Sequence, residues 1–166
     1  VVVGFAVHRI EILTFITVDS ECIQIYNSQD SYNGDREEGA MFDHISIGVR
    51  DLARTKRFYD SALAPLGYRR LYEGASGLGY GRDAVALWIG VTDHPVTPDP
   101  ASNLHFCFSA PTRQSIEEFH AAALRSGGAD NGGPGVRAEY SPDYYAAFVV
   151  DPDGYRIEAY CGQSAG

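Results

Sequence analysis

"HISIGVRDLARTKRFYDSALAPLG", residues 44–67, and "HFCFSAPTRQSIEEFHAAALRSGG", residues 105–128, decide the architecture, because they are two copies of one pattern. In each copy a phenylalanine follows the opening histidine by 14 residues (Phe58, Phe119), a leucine by 19 (Leu63, Leu124) and a glycine by 23 (Gly67, Gly128). The offset is constant at 61 residues, so one supersecondary unit is used twice. Each copy opens with the alternation of a half-buried strand: Ile45, Ile47 and Val49 against His44, Ser46 and Gly48, then Phe106 and Phe108 against His105 and Cys107. An amphipathic helix follows, with Leu52, Phe58, Leu63 and Leu66 in the first copy and Ile116, Phe119 and Leu124 in the second. Gly67 and the pair Gly127–Gly128 end these helices. The apolar strand faces are expected to pack on the helices.

Outward from the repeat, short strand-like runs complete each unit: "YRRLYE", "LGYG" and "AVALWIGV" in the first, "VRAEY", "YAAFVV" and "YRIEAYC" in the second, with "DPDG" as the turn before the last. Each module therefore reads βαβββ. The fold class is α+β: two such modules, about 41–92 and 101–162, forming a cupped mixed sheet with helices on the outside. In the last strand Ile157 and Ala159 join the helix-facing core, which leaves Arg156, Glu158 and Tyr160 on the side of the two histidines.

Upstream, "NSQDSYNGDREEGA", residues 27–40, is polar and turn-rich, and the single methionine, Met41, follows it. Residues 1–40 read as an extension, either one or two strands or translated sequence ahead of a start at Met41, and residues 41–166 as the domain. The opening "VVVGFAVHRIEILTFITV" is interrupted by His8, Arg9 and Glu11 well before the roughly 20 residues of a membrane span, and it reads as no targeting signal. A formal charge of −9 without a lysine- or arginine-rich run argues against nucleic acid and anionic membrane surfaces as partners. Cys22, Cys107 and Cys161 form an odd set without C-x-x-C spacing, which suggests neither a disulfide framework nor a cysteine zinc site, and a reducing cytoplasm as the location.

His44 and His105 hold equivalent positions, and pseudo-twofold packing would bring their strands side by side. With Glu158 they make two imidazoles and a carboxylate, the set favoured by non-haem Fe(II) and suited also to zinc, manganese or nickel. A histidine at a strand end is more often a structural hydrogen-bonding residue, and a strand glutamate is usually solvated. Their repeat-related placement singles these three out. His94 sits in the proline-rich loop between modules and reads as solvated; His120 follows Phe119 and is expected to face away from the core; Cys107 reads as a small buried thiol.

The motifs "DHISIGVRDLARTKRFYDSALAPLGY" and "FVVDPDGYRIEAY" resemble the vicinal oxygen chelate superfamily, which includes glyoxalase I, extradiol dioxygenases, fosfomycin-resistance enzymes and bleomycin-resistance proteins. The resemblance spans residues 41–162. It implies a homodimer of paired βαβββ modules around a divalent metal that chelates two adjacent oxygens of a small-molecule substrate, with His44, His105 and Glu158 at the ligand positions. Glu158 and Tyr145 are then the candidate catalytic residues, Tyr145 through a hydrogen bond to a chelated oxygen, with Tyr144 beside it. Trp88 stands where glyoxalase I has a further glutamate ligand, a departure that puts a glutathione-dependent isomerase in doubt and suggests a pocket wall for a flat substrate. Tyr160 and Arg156 are the other candidate substrate contacts, Arg156 for an anionic group. The activity implied is dioxygenase-like or glyoxalase-like (lyase). A metal-free protein of the bleomycin-resistance type, sequestering a ligand in an aromatic groove, is the alternative.

Overall fold

A computed structural model describes residues 42–96, 99 and 101–162, all within the unit Arg36–Gly166. The readings of residues 1–40, of Met41 and of Cys22 lie outside the described residues. The first module runs β1 (Ile45–Val49), α1 (Leu52–Leu63) with a 3-10 turn at Ala64–Leu66, β2 (Arg69–Glu73), β3 (Gly77–Gly81) and β4 (Val85–Val91). The second runs β5 (Phe106–Ser109), α2 (Arg113–Arg125), β6 (Ala129–Val136), β7 (Tyr145–Val150) and β8 (Arg156–Cys161). The α+β class and the two βαβββ modules are as the repeat implies.

Local chemistry sets the helix ends. Asp51 accepts the Arg54 N–H at the start of α1, and Thr112 and Ser115 form a reciprocal capping box at the start of α2. The matching glycines serve different ends. Gly67 closes the 3-10 turn with φ +80, a left-handed backbone, in open space. At Gly128 a Cβ would meet Phe58 Cε2 at 2.7 Å and the Ala123 and Val150 carbonyl oxygens at 3.0 and 3.1 Å. Close approach of the modules requires glycine there.

One expected core position differs. Leu63 is buried, while its repeat mate Leu124 is 38% exposed. The cause lies one turn earlier: fully buried Tyr59 is matched by His120, whose Nε2 lies 2.8 Å from Asp130 Oδ1 on β6, and Leu124 follows His120 outward. The final module also shifts a strand. "VRAEY" is largely turn, and β6 is the glycine- and proline-rich segment Ala129–Val136, pairing with β7 through two register breaks. It is an edge strand, where such residues are tolerated.

The strands form two sheets, ordered β1-β4-β3-β2 and β5-β8-β7-β6, with β1–β4 and β5–β8 parallel and the other pairs antiparallel. The first strands of the two modules, expected side by side, thus belong to separate sheets. Helices α1 and α2 pack against each other. Ile47, Val49 and Ile89 of one sheet share a single apolar cluster with Phe58, Phe119 and with Ala147, Val149, Ile157 and Ala159 of the other. Both helix-bearing faces therefore turn toward a common core, and the faces of His44 and Glu158 turn away from it.

The "DPDG" turn clamps the modules together. Asp153 accepts from Arg54 Nη2 at 2.7 Å and Thr55 Oγ1 at 2.9 Å, Tyr59 donates to Asp151 Oδ2 at 2.9 Å, and Tyr155 donates to the Gly48 carbonyl at 2.9 Å. Burial pushes the Asp151 carboxyl up to about 6, against the opposing effect of N–H and hydroxyl donors from Tyr155, Tyr59 and Asp153. A carboxyl raised in the folded state contributes stability that is complete below its unfolded value, 3.8, and is lost as pH rises through about 6. The expected result for Asp151→Asn is the absence of this component, on the order of 2–3 kcal/mol, so that wild type loses stability relative to the variant between about pH 4 and 7. Urea titrations of both proteins across that range check it, and parallel profiles would refute the assignment.

Candidate metal centre

The second module builds half of a site on the outward face of its sheet. Glu158 of β8 lies opposite Cys107 of β5 and Phe148 of β7, so these three form one cross-strand row. His105 enters one residue before β5, with the parity of Cys107. Its Nε2 lies 3.0 Å from Glu158 Oε2. The other carboxylate oxygen, Oε1, accepts from the Tyr144 hydroxyl at 2.7 Å. Tyr160 lies against Tyr144 with ring centroids 4.1 Å apart, and Phe148 meets His105 edge-on at 6.3 Å. Glu158 is only 2% exposed, and a carboxylate so placed requires polar or ionic partners.

The tautomer of His105 follows from its other nitrogen. Nδ1 lies 3.0 Å from the Asn103 carbonyl oxygen, which only accepts, so Nδ1 carries the proton. In the neutral ring Nε2 is then a bare lone pair facing the Glu158 oxygen, itself an acceptor. Two acceptors 3.0 Å apart require a proton or a cation between them. Ligand bonds of about 2.1 Å at right angles place two donor atoms about 3 Å apart, and a ligating histidine ordinarily donates its second nitrogen to an oxygen. These residues fit a divalent ion.

His44 repeats the arrangement in the first module: its Nδ1 lies 2.7 Å from Asp43 Oδ1, which leaves Nε2 as the ring nitrogen available to another partner. It does not join His105 and Glu158 within the chain, and among the described residues no three histidine, cysteine, aspartate or glutamate side chains converge to hold an ion. The expectation that one chain gathers all three is corrected here. The physical reason is the shared core, which turns the two sheet faces away from each other. On His44's side of β1, Ser46 pairs with Trp88 of β4, which pairs in turn with Gly79 of β3. The Trp88 ring meets Tyr72 edge-on at 5.3 Å, so two aromatic rings stand together on this face.

Tyr145 is a correction. It begins β7 with the parity of Ala147 and Val149, packs against the core, and donates its hydroxyl to Glu117 Oε1 of α2 at 3.0 Å. Tyr144, one residue earlier, is the phenol that reaches Glu158. Burial and the bonded carboxylate raise the Tyr144 phenol well above its ordinary value, so it keeps its proton and donates it to Glu158. Cys107 is exposed as a residue rather than buried, with its sulfur turned toward Glu158. Burial of its sulfur and the adjacent Glu158 charge push the thiol up to about 12, so it is no thiolate at neutral pH. Arg156 is partly exposed and shares the strand parity of Glu158 and Tyr160. His94 is exposed. Asp43, Asn103 and Phe148 escaped the sequence reading; for Phe148 the signal was its place in "YAAFVV", and for Asn103 there was none.

A family model described as the Glyoxalase/Bleomycin resistance protein/Dioxygenase superfamily matches residues 41–159. Among solved structures, a glyoxalase/bleomycin resistance protein from Albidiferax ferrireducens is 33% identical, with 73% of this chain and 98% of that one covered and a TM-score of 0.60. A glyoxalase-related enzyme from Fulvimarina pelagi (18% identity, 70% and 84% coverage, TM-score 0.55) shares the fold. So does the fosfomycin resistance protein FosX from Mesorhizobium loti (16% identity, 74% and 92%, TM-score 0.55). No curated protein matches the chain.

Proposed function

Because the chain belongs to the glyoxalase/bleomycin resistance protein/dioxygenase superfamily, we propose that it is a metal-dependent enzyme of the vicinal oxygen chelate type, acting on a small oxygenated substrate. The observation that carries this reading is the imidazole–carboxylate pair, His105 Nε2 and Glu158 Oε2, held 3.0 Å apart around a 2%-exposed carboxylate. His105 and Glu158 of one copy would hold the ion together with His44 of a second copy, since His44 shares their chemistry but faces elsewhere in its own chain. Phe42, Val96 and Leu104 support the pairing: they are 66%, 68% and 60% exposed, and two of them lie within two residues of the histidines. Apolar side chains so placed suit the rim of an interface between copies.

The ion would supply Lewis-acid polarisation of two adjacent substrate oxygens. The chain's own residues do the rest. Asp43 and the Asn103 carbonyl set the histidine tautomers. The Tyr144 hydroxyl occupies Oε1, so Glu158 presents Oε2 alone, and the same hydroxyl is a proton donor at the edge of the site. Phe148 and Tyr160 keep water from one side. Both a dioxygenase-like and a lyase-like reaction use such a centre.

Metal analysis of protein purified without chelator tests the reading. The expected result is about one divalent ion per chain, lost in His105→Ala. A metal-free wild type that still binds aromatic ligands would replace the enzyme by the sequestering alternative, which the Tyr144–Tyr160 and Tyr72–Trp88 pairs favour. Tyr144→Phe keeps the ring packing but frees Oε1. It is expected to weaken metal binding about 10–100-fold and to lower stability by about 1–3 kcal/mol, because a buried carboxylate oxygen loses its donor. Unchanged affinity would remove Tyr144 from this role.

A further inference from the structure

We infer that the substrate carries a carboxylate beyond its chelated oxygens and that Arg137 binds it, from the far end of the strand row that holds Glu158. The chelating end rests on the function proposed above; the position of Arg137 depends on no ion. On the outward face of the second sheet Cys107, Glu158 and Phe148 pair across β5, β8 and β7, and the partner of Phe148 on β6 is Gly132. The row therefore ends without a side chain of its own. The Arg137 guanidinium fills that end: a Cβ at Gly132 would lie 3.2 Å from Phe148 Cδ2 and 3.5 Å from Arg137 Nη2. Arg137 Cζ stands 5.5 Å from the centre of the Phe148 ring, and the Arg137 N–H donates to the Tyr144 carbonyl at 2.7 Å, which continues the pairing just past β6.

The same ring meets His105 edge-on at 6.3 Å, so Phe148 touches both the imidazole and the guanidinium. Strand β6 lies two places from β8, about 10 Å at ordinary strand spacing. A small aromatic or aliphatic acid spans that distance with its oxygens at one end and its carboxylate at the other. The charge of Arg137 also lacks an answer within the chain. Arg54, Arg70 and Arg113 stand 2.7, 3.0 and 3.9 Å from Asp153, Asp60 and Asp143. Among the described residues no carboxylate stands so near Arg137, whose side chain bonds the Gly133 carbonyl from Nη2 at 2.6 Å. That bond and the Phe148 ring fix the plane of the guanidinium and leave its remaining N–H groups to an acceptor from outside. A carboxylate meets such a fork with two parallel hydrogen bonds, which a neutral hydroxyl cannot do.

The test measures by calorimetry the binding of catechol, 3,4-dihydroxybenzoate and dopamine, which share two adjacent oxygens and differ in the charge carried across the ring from them. The proteins are wild type, Arg137→Gln and Arg137→Lys, each with zinc and without. Wild type is expected to bind 3,4-dihydroxybenzoate about 10–100-fold more tightly than catechol, and dopamine more weakly than catechol. Arg137→Gln brings the first two within about threefold by weakening the carboxylate ligand alone. Arg137→Lys, a point charge without the fork, keeps part of the preference. Equal binding of catechol and 3,4-dihydroxybenzoate by wild type, binding of neither, or a preference that survives in Arg137→Gln would overturn the inference. So would an equal loss of both ligands in that variant, which marks Arg137 as a brace for β6 alone. If Arg137→Gln does not fold, the order of the three ligands on wild type and on Arg137→Lys decides. A wild type that binds no zinc but shows the carboxylate preference, lost in Arg137→Gln, would end the metal reading and leave Arg137 in its role.

Discussion

Phe58→Ala is expected to destabilise the protein by about 3–5 kcal/mol, a large share of the roughly 5–15 kcal/mol that holds an ordinary domain together. Phe58 is fully buried, meets Tyr59 edge-on at 5.1 Å, and lies against the backbone of Gly128 in the other module. Truncation leaves a cavity where α1 meets the second module, and the carbonyls that crowd Gly128 cannot move in to fill it. Because one apolar cluster spans both modules, urea unfolding followed by tyrosine and by backbone signals should still give one coincident transition, displaced to lower denaturant. Two separate transitions, with the second module unaffected, would show that the modules do not share a core.

The second large effect concerns Glu158→Gln, which preserves shape and removes charge. The amide presents either a donor to His105 Nε2 or a carbonyl oxygen of weaker basicity, and Tyr144 still holds the other end. Divalent-ion affinity is expected to fall by more than the 10–100-fold typical of losing an outer partner, and activity on a chelating substrate with it. Folding should survive, since the charge relieved is 2% exposed and its replacement can still hydrogen-bond. Metal affinity within a few-fold of wild type would remove Glu158 from the ligand set.

The repeat made much of this legible in the sequence. Strand alternation alone assigned Ile45, Ile47 and Val49 to the core and put Glu158 on the histidine side of β8, and helical spacing found Phe58 and Phe119. These are local periodicities, and they survive any arrangement of the modules. What was not legible depends on tertiary geometry. Whether two sheets share a concave space or stand back to back is decided by contacts such as Phe58 on Gly128 and Asp153 on Arg54, which link residues 70 and 99 positions apart and leave no periodic trace. His44 was therefore expected beside His105 and Glu158, whereas within the chain it does not join them. Tyr144 and Tyr145 differ by one step of strand parity, and the turn before β7 hides which one counts as the first strand residue. The edge strand β6 reads as a turn because glycine and proline can occupy an edge. The acceptor at Asn103 is a backbone atom, and a sequence cannot announce where a carbonyl points.

The central claim is that one ion is shared by His44 of one copy and His105 and Glu158 of another, and mixing two inactive variants tests it most directly. His44→Ala and Glu158→Gln are each expected to purify without metal. After unfolding and refolding together, half of the twofold dimers carry one intact site of two, so the mixture should recover about a quarter of the wild-type metal content. A mixture that stays metal-free, while the wild type binds its ion, would contradict a centre built between copies.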